Sequence, residues 1–202
     1  VHRPVHLNRH LRESGLLSVR SGPFGEMLMP GESAAFAVAD HQLAHLYVND
    51  GDRIADVQRI LESVPGVDRV VPPSQLDLDH RRSGELIALA EADSWFTYYY
   101  WLDDRSAPDF ARTVDIHRKP GYDPVELFAT SKLRALARVA QKKLGFRYKM
   151  DVIPLDATLV RGSHGIHPAD PSDGPLIIGP GELPDDMRGF ADYARRLLAS
   201  SD

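Results

Sequence analysis

The sequence has 202 residues, of which 43% are hydrophobic and 26% are charged, and this balance is typical of a globular protein rather than a disordered or fibrous one. Its formal net charge of -5 argues against binding along nucleic-acid backbones, because such proteins carry a strong basic surplus. The absence of cysteine excludes disulfides and thiolate metal sites, so any metal must bind to His, Asp, Glu or hydroxyl groups. The sequence has neither an apolar run of about 20 residues nor a signal peptide, so we expect a cytoplasmic protein with no membrane or long nucleic-acid partner.

The first half of the chain alternates between predicted helices and strands. Apolar side chains at helical spacing predict a short helix over residues 5–14 and a second helix over 53–64, which Asp52 is placed to cap. Short apolar runs bounded by turn signals predict strands at 34–38, 45–48, 67–71 and 85–90. The order strand, helix, strand favours an α/β layer or a small split βαβ lobe.

The second half contains fewer regular elements. Residues 95–101 include six aromatic side chains, which either pack in the core or form a substrate wall. Residues 107–123 have the composition of an irregular loop, and such long loops are often functional. Periodicity then predicts a basic helix over 131–144 that packs through its apolar stripe and keeps its charges in solvent. A buried strand at 176–178 and a closing helix at 190–198 complete the predicted elements.

Four segments concentrate side chains that can bind a metal. They are Asp40 and His41 with His45, the stretch from Asp77 to His80, Asp115 with His117, and His164 with His167. Asp40 and His41 are adjacent, so on an extended backbone they point to different sides, and an irregular backbone is needed for both to be ligands. This segment is therefore interpreted mainly as packed or supporting residues. The charge alternation of residues 77–82 indicates a solvated connection.

Asp115 and His117 are separated by one residue. On an extended backbone, they would lie on the same side with Ile116 pointing inward. They could then share a metal, or the carboxylate could orient the imidazole for acid/base or structural purposes. The neighbouring Arg118 and Lys119 add positive charge that suits an anionic substrate, and a tight turn follows at residues 121–123.

His164 lies between two glycines in the stretch Gly162-Ser163-His164-Gly165. Glycines allow positive φ angles and a close approach of the backbone to a ligand, and they leave a single imidazole displayed. Imidazole is the commonest metal ligand where cysteine is absent. His164 is therefore the leading metal-ligand candidate.

Three stretches carry a resemblance to a known family. Residues 4–17 look like a helix that follows an Asp-His-Gly metal motif, and residues 82–96 look like a Gly-Asp-aliphatic strand segment. Residues 161–165 are similar to a Gly-x-His-Gly motif that occurs late in the sequence. Phe190 and Tyr193 are similar to residues of a helix that ends the domain. Together they resemble the type I phosphodiesterase and nucleotide pyrophosphatase branch of the alkaline phosphatase superfamily.

The resemblance implies that residues 1–202 are the C-terminal part of an α/β catalytic domain with a partial alkaline phosphatase-like core. Residues 97–160 would then be an inserted α+β lobe, acting as a lid or substrate wall. His164 matches a ligand of one of two divalent ions, which the resemblance implies are zinc, with manganese or magnesium as options. His117 is the second candidate, because His117 followed by Gly121-Tyr122-Asp123 is similar to the family's His-Gly-Tyr-Asp motif. Three extra residues separate the histidine from the glycine.

The implied reaction is hydrolysis of phosphoric diesters or nucleotide pyrophosphates, with a small phosphorylated or nucleotide-like substrate. Arg118, Lys119, Tyr122 and Trp95 are the expected substrate-binding residues. The family's nucleophile and its other ligands have no counterpart here, so we expect them upstream of Val1 and expect this chain alone to be inactive. Phosphonate hydrolysis, phosphomutase chemistry and a non-catalytic binding domain are the alternatives.

Overall fold

The structure is a computed structural model that describes residues 1–199, and the chain divides into two compact units, Val1–Ile166 and His167–Asp202. The first unit is built on a four-stranded antiparallel sheet in the order β4-β5-β7-β6. Its strands are β4 (Ala35–Asp40), β5 (Leu43–Val48), β6 (Val67–Val71) and β7 (Leu86–Ala90). β4 and β5 alternate buried and more exposed side chains, as expected for strands covered on one face, whereas all of β7 is buried, as expected for a strand covered on both faces.

Two helices of the first unit, α1 (Leu7–Glu13) and α2 (Ile54–Glu62), pack against each other and supply apolar side chains to the core. Val57 and Leu61 of α2 are fully buried, and their spacing of four residues places them on one helix face. The Asn8 side chain of α1 is buried and exchanges two hydrogen bonds with the Ala37 backbone of β4, at 2.7 and 2.9 Å. The amide therefore occupies the outer edge of β4 in place of another strand.

Two strand pairs complete this unit. β1 (Arg3–Val5) pairs in parallel with β8 (Ser94–Phe96), and β2 (Val19–Gly22) forms a hairpin with β3 (Gly25–Leu28). The aromatic stretch that begins in β8 is buried throughout. Core packing is therefore the correct interpretation of residues 95–101, and they do not line a substrate wall.

The second half of the first unit is mostly irregular apart from α3 (Lys132–Lys143). Phe110, Val125 and Ile153 from this region are buried in the same core as the sheet. An inserted lobe at residues 97–160 stays a prediction. The second unit contains α4 (Met187–Ala199), whose buried Tyr193 donates a hydrogen bond to the Pro180 carbonyl at 3.1 Å.

The mixed α/β architecture is confirmed, with several local corrections. The predicted strand at 176–178 is wrong, because the described chain is irregular there and the side chains of Leu176 and Ile178 are exposed. Asp52 does not cap α2: the residue before the helix is Arg53, whose side chain makes no capping bond. Asp50 caps the short 3-10 turn Gly51–Arg53 that leads into α2, and its carboxylate accepts from the Asp52 backbone N–H. No helix within residues 1–199 is long and apolar enough to cross a membrane; the cytoplasmic location stays a prediction.

Candidate metal site

The turn between β4 and β5 consists of His41 and Gln42, and we call it the β4–β5 turn. His41 has a φ of 58°, which is uncommon for a residue with a side chain and indicates local strain. Neighbouring backbone compensates for it: the His41 carbonyl accepts from Phe96 N–H at 2.7 Å, and the Gln42 carbonyl accepts from Ala90 N–H at 2.9 Å. The left-handed conformation of His41 makes the backbone irregular at this point. Asp40 and His41 can therefore both contribute to one cluster although they are adjacent.

The segment that carries His164 lies directly against the β4–β5 turn. The His164 carbonyl accepts from Gln42 N–H at 2.9 Å. Gly165 has a φ of 116°, and a Cβ at this position would lie 3.3 Å from Leu43 N and 3.4 Å from Gln42 N. Glycine is needed here both for the backbone conformation and for the close approach. The glycine therefore has a packing role in placing His164.

Asp40, His41 and His164 form a group whose potential ligand atoms all lie within 4.8 Å of one another, the single such group within residues 1–199. His41 Nδ1 and His164 Nε2 are 2.6 Å apart, and the ring centroids are 3.9 Å apart. At this distance one ring donates N–H to the lone pair of the other, so at least one imidazole is neutral.

The environment of His41 favours its neutral form. Burial lowers the pKa of His41, the nearby His164 lowers it further, and Asp40 opposes the shift. The other ring nitrogen, Nε2, is buried without a hydrogen-bond partner in the described residues. Neutral imidazole is the form that binds metals. One carboxylate and two imidazoles are a donor set that fits zinc or manganese better than magnesium, which prefers oxygen ligands.

A third segment meets the cluster at Tyr122. Gly121 forms a parallel bridge with Ala39 of β4, and Tyr122 N–H donates to the Ala39 carbonyl at 2.9 Å. The Tyr122 ring stands edge-on to His41, with centroids 4.8 Å apart and planes at 81°. The ring is 44% exposed, so it borders the cluster and is also accessible from solvent.

Lys119 is fully buried, contrary to its predicted role in substrate binding. Its Nζ lies 2.8 Å from Asp123 Oδ2 and 2.6 Å from Glu126 Oε1. Burial raises the pKa of Asp123, an effect that the lysine opposes. A buried ammonium held by two carboxylates is paired within the loop and presents no charge to a ligand. This ion triad anchors the residues on both sides of Tyr122.

Asp115 and His117 are not part of the cluster. The segment is a turn in which Arg118 N–H donates to the Asp115 carbonyl, and Ile116 is exposed. The predicted extended backbone with Ile116 pointing inward is therefore wrong. Arg118 lies over the Phe110 ring at 4.8 Å and within 3.7 Å of Asp109. Its guanidinium is half exposed, and its role toward a substrate stays a prediction.

Trp95 and His45 are also separate from this cluster. Trp95 is fully buried, so its predicted contact with substrate is wrong for this structure. His45 lies within β5, where its Nδ1 accepts from Gly84 N–H at 3.2 Å. The structure thus brings together Asp40, His41, His164 and Tyr122 from the sequence-based candidates.

Part of the cluster lies in a segment that matches a known protein family. A family model described as type I phosphodiesterase/nucleotide pyrophosphatase matches residues 1–123, more than half of the chain. The chain belongs to this family. The match includes Asp40, His41 and Tyr122 but ends before His164, whose placement in the cluster therefore rests on the geometry.

A solved structure of phosphonoacetate hydrolase from Sinorhizobium meliloti 1021, in complex with phosphonoacetate, aligns with 52% of this chain. The sequence identity is 14% and the TM-score 0.34, and a similarity of this size does not establish a shared fold. The chain spans about a quarter of the length of the hydrolase, because the alignment covers 25% of that protein. No curated protein matches the chain significantly.

The sequence did not indicate that His41 and Asp40 could join one cluster, because adjacent residues on an extended backbone point to different sides. The strands were predicted at 34–38 and 45–48. The observed strands reach Asp40 and start again at Leu43, leaving a two-residue turn. The buried alternation of Ala35, Ala37 and Ala39 continues to that turn. This alternation was the signal that β4 extends to Asp40. Nothing local in the sequence indicates that His164 lies beside the β4–β5 turn.

Proposed function

We propose that this family member is part of a metal-dependent hydrolase of phosphoric diesters or nucleotide pyrophosphates. The observation that carries the proposal is the meeting of Asp40, His41 and His164 at one turn. The family match supports the reaction class, and the cysteine-free donor set supports the use of a divalent ion.

Asp40, His41 and His164 would hold one divalent ion, zinc by the balance of nitrogen and oxygen donors. Such an ion, when bound, supplies Lewis-acid polarisation of a phosphoryl oxygen. The hydrogen bond between the two imidazoles must be lost for both nitrogens to become ligands, so the ring that donates its N–H must carry that proton on its other nitrogen when an ion binds. Phe96 N–H and Gln42 N–H, through their bonds to the His41 and His164 carbonyls, position the two ligand residues.

Tyr122 is the proposed substrate contact. Its edge-on packing fixes the ring beside His41, and its exposed part can stack on a base or close one side of a bound phosphodiester. Three donors suit one ion, so a second ion, the nucleophile and the remaining ligands would come from sequence outside these 202 residues.

The first test is zinc binding to the 202-residue chain, measured by isothermal titration calorimetry. We expect His164→Ala and His41→Ala to weaken zinc binding by at least about 100-fold, because loss of a direct ligand exceeds the usual cost of losing a supporting residue. His117→Ala is the matched control, since it removes an exposed imidazole outside the cluster, and it should bind like the wild type. Wild-type affinity in His164→Ala would remove His164 from the site.

The second test is turnover of bis(4-nitrophenyl) phosphate by the full-length protein. His164→Ala should lower turnover by at least about 100-fold with the fold intact, and His117→Ala should not. The 202-residue chain should bind zinc without turning over the substrate. Turnover by this chain alone would contradict the inference that the nucleophile lies elsewhere.

A further inference from the structure

The apolar side chains of helix α3 (Lys132–Lys143) are exposed, whereas an amphipathic helix usually buries them. The prediction that it packs through its apolar stripe is wrong, because no side chain of α3 is buried among the residues described. The apolar stripe predicted from the sequence consists of Leu133, Leu136, Val139 and Leu144, and Ala140 lies on the same side of the helix. Leu133 is 80% exposed, Leu136 64% and Leu144 71%.

The charged face of α3 makes ion pairs to the segment that follows the helix. Arg134 Nη2 donates to Asp151 Oδ2 at 2.6 Å, and Arg138 Nε donates to Asp151 Oδ1 at 2.7 Å. Arg138 also donates to Gln141 at 2.7 Å, and both residues are half-buried. The bonds to Asp151 join the arginine side of α3 to the segment that follows it, and the leucines of the stripe are left exposed.

Positive charge surrounds the exposed stripe. Residues 132–149 contain seven Lys and Arg side chains and no Asp or Glu, although the whole chain has a net charge of -5. Lys132, Lys143 and Arg147 are exposed and form no ion pair within residues 1–199. Just beyond the helix, Phe146 is 64% exposed. We call residues 132–149 the basic apolar surface.

We propose that the basic apolar surface binds the surface of an anionic phospholipid bilayer, with α3 lying in the plane of the headgroups. Leucines at helical spacing, flanking lysines and a nearby aromatic ring are the combination that inserts at this interface. The cations flanking the stripe match the negative potential of acidic lipids. The helix is far too short to span the bilayer.

A second copy of the chain fits this surface less well. Two copies meeting through the stripe would bring two sets of uncompensated cations together, which opposes association. The lipid interface instead supplies both an apolar layer for the leucines and phosphates for the lysines. The inference revises the expectation that the protein has no membrane partner, and it does not depend on the metal site.

The test is co-sedimentation of the 202-residue chain with vesicles. We expect binding to vesicles of phosphatidylcholine containing about one-third phosphatidylserine, weakening as salt increases, and little binding to phosphatidylcholine alone. Leu133→Ser with Leu136→Ser should weaken binding at least about tenfold. Lys142→Gln with Lys143→Gln should weaken it about fivefold for each cation removed.

Leu127→Ser is the matched control for the leucine pair. Leu127 is 79% exposed, as Leu133 is, but it lies next to Glu126 rather than among cations, so its loss should leave vesicle binding unchanged. Circular dichroism melting should show all variants folded, since the altered side chains are exposed. No sedimentation with either vesicle, equal sedimentation with both, or wild-type binding by the leucine pair would overturn the proposal. Leucine-dependent dimers in analytical ultracentrifugation without vesicle binding would assign the surface to a second copy instead.

Discussion

Replacing Gly121 by alanine tests whether the close approach of the Tyr122 segment to β4 is required by the fold. A Cβ at Gly121 would lie 2.2 Å from the Ala39 carbonyl oxygen and 2.8 Å from the Ala39 nitrogen. Both are backbone atoms, so the two segments must separate by about 1 Å to restore ordinary contact. Separation would also stretch the hydrogen bond from Tyr122 N–H to the Ala39 carbonyl.

The expected loss of stability has two parts. A side chain at positive φ costs about 1–2 kcal/mol, and forcing packed backbone apart adds about 1–3 kcal/mol. Gly145 provides the control, because its φ is also positive, at 76°, but no described atom lies within 4 Å of a Cβ built there. Gly145→Ala should therefore show the conformational cost alone.

The measurement is urea unfolding of both variants and the wild type. With a denaturant slope of about 2 kcal/mol per molar, Gly121→Ala should unfold at roughly 1 M less urea than Gly145→Ala. Equal midpoints for the two variants would refute the reasoning, because they would show that the segment moves away from β4 at no cost.

Two further predictions concern buried ionisable groups. Burial lowers the pKa of His6 from 6.5 to about 4, so its neutral form contributes stability above pH 6.5 that is lost as the pH falls to about 4, at most about 3 kcal/mol. His6→Gln should flatten the pH dependence of the unfolding free energy over this range, and an unchanged slope would contradict the assignment. Lys119→Ala should destabilise the protein by about 3–5 kcal/mol at pH 7, because it leaves Asp123 and Glu126 buried without a counter-charge. Lys119→Ala with Asp123→Asn and Glu126→Gln should recover part of that loss in urea unfolding, whereas equal stability of the two variants would argue against the ion triad.

Much of the sheet and its helices could be predicted from the sequence. Short apolar runs bounded by turn signals predict β4, β5, β6 and β7. Helical spacing predicts α2, because burial of one helix face leaves a local period in the sequence. The glycines around His164 likewise indicated a backbone that comes close to another group. These features depend on residues a few positions apart, and the structure agrees with them within a few residues.

The assembly of the candidate metal site was decided by tertiary structure. His41 and His164 are 123 positions apart, and no local pattern specifies that their imidazoles come within 2.6 Å. The same holds for Lys119, which local charge indicated as exposed but which two carboxylates of the same loop hold in the core.

The orientation of α3 shows the limit of periodicity most directly. The sequence alone determined that α3 is an amphipathic helix with leucines on one face. It did not determine whether the leucine face is buried, because that depends on which parts of the folded chain lie beside the helix. Asp151 pairs with Arg134 and Arg138 on the other side of α3, and the leucines are exposed.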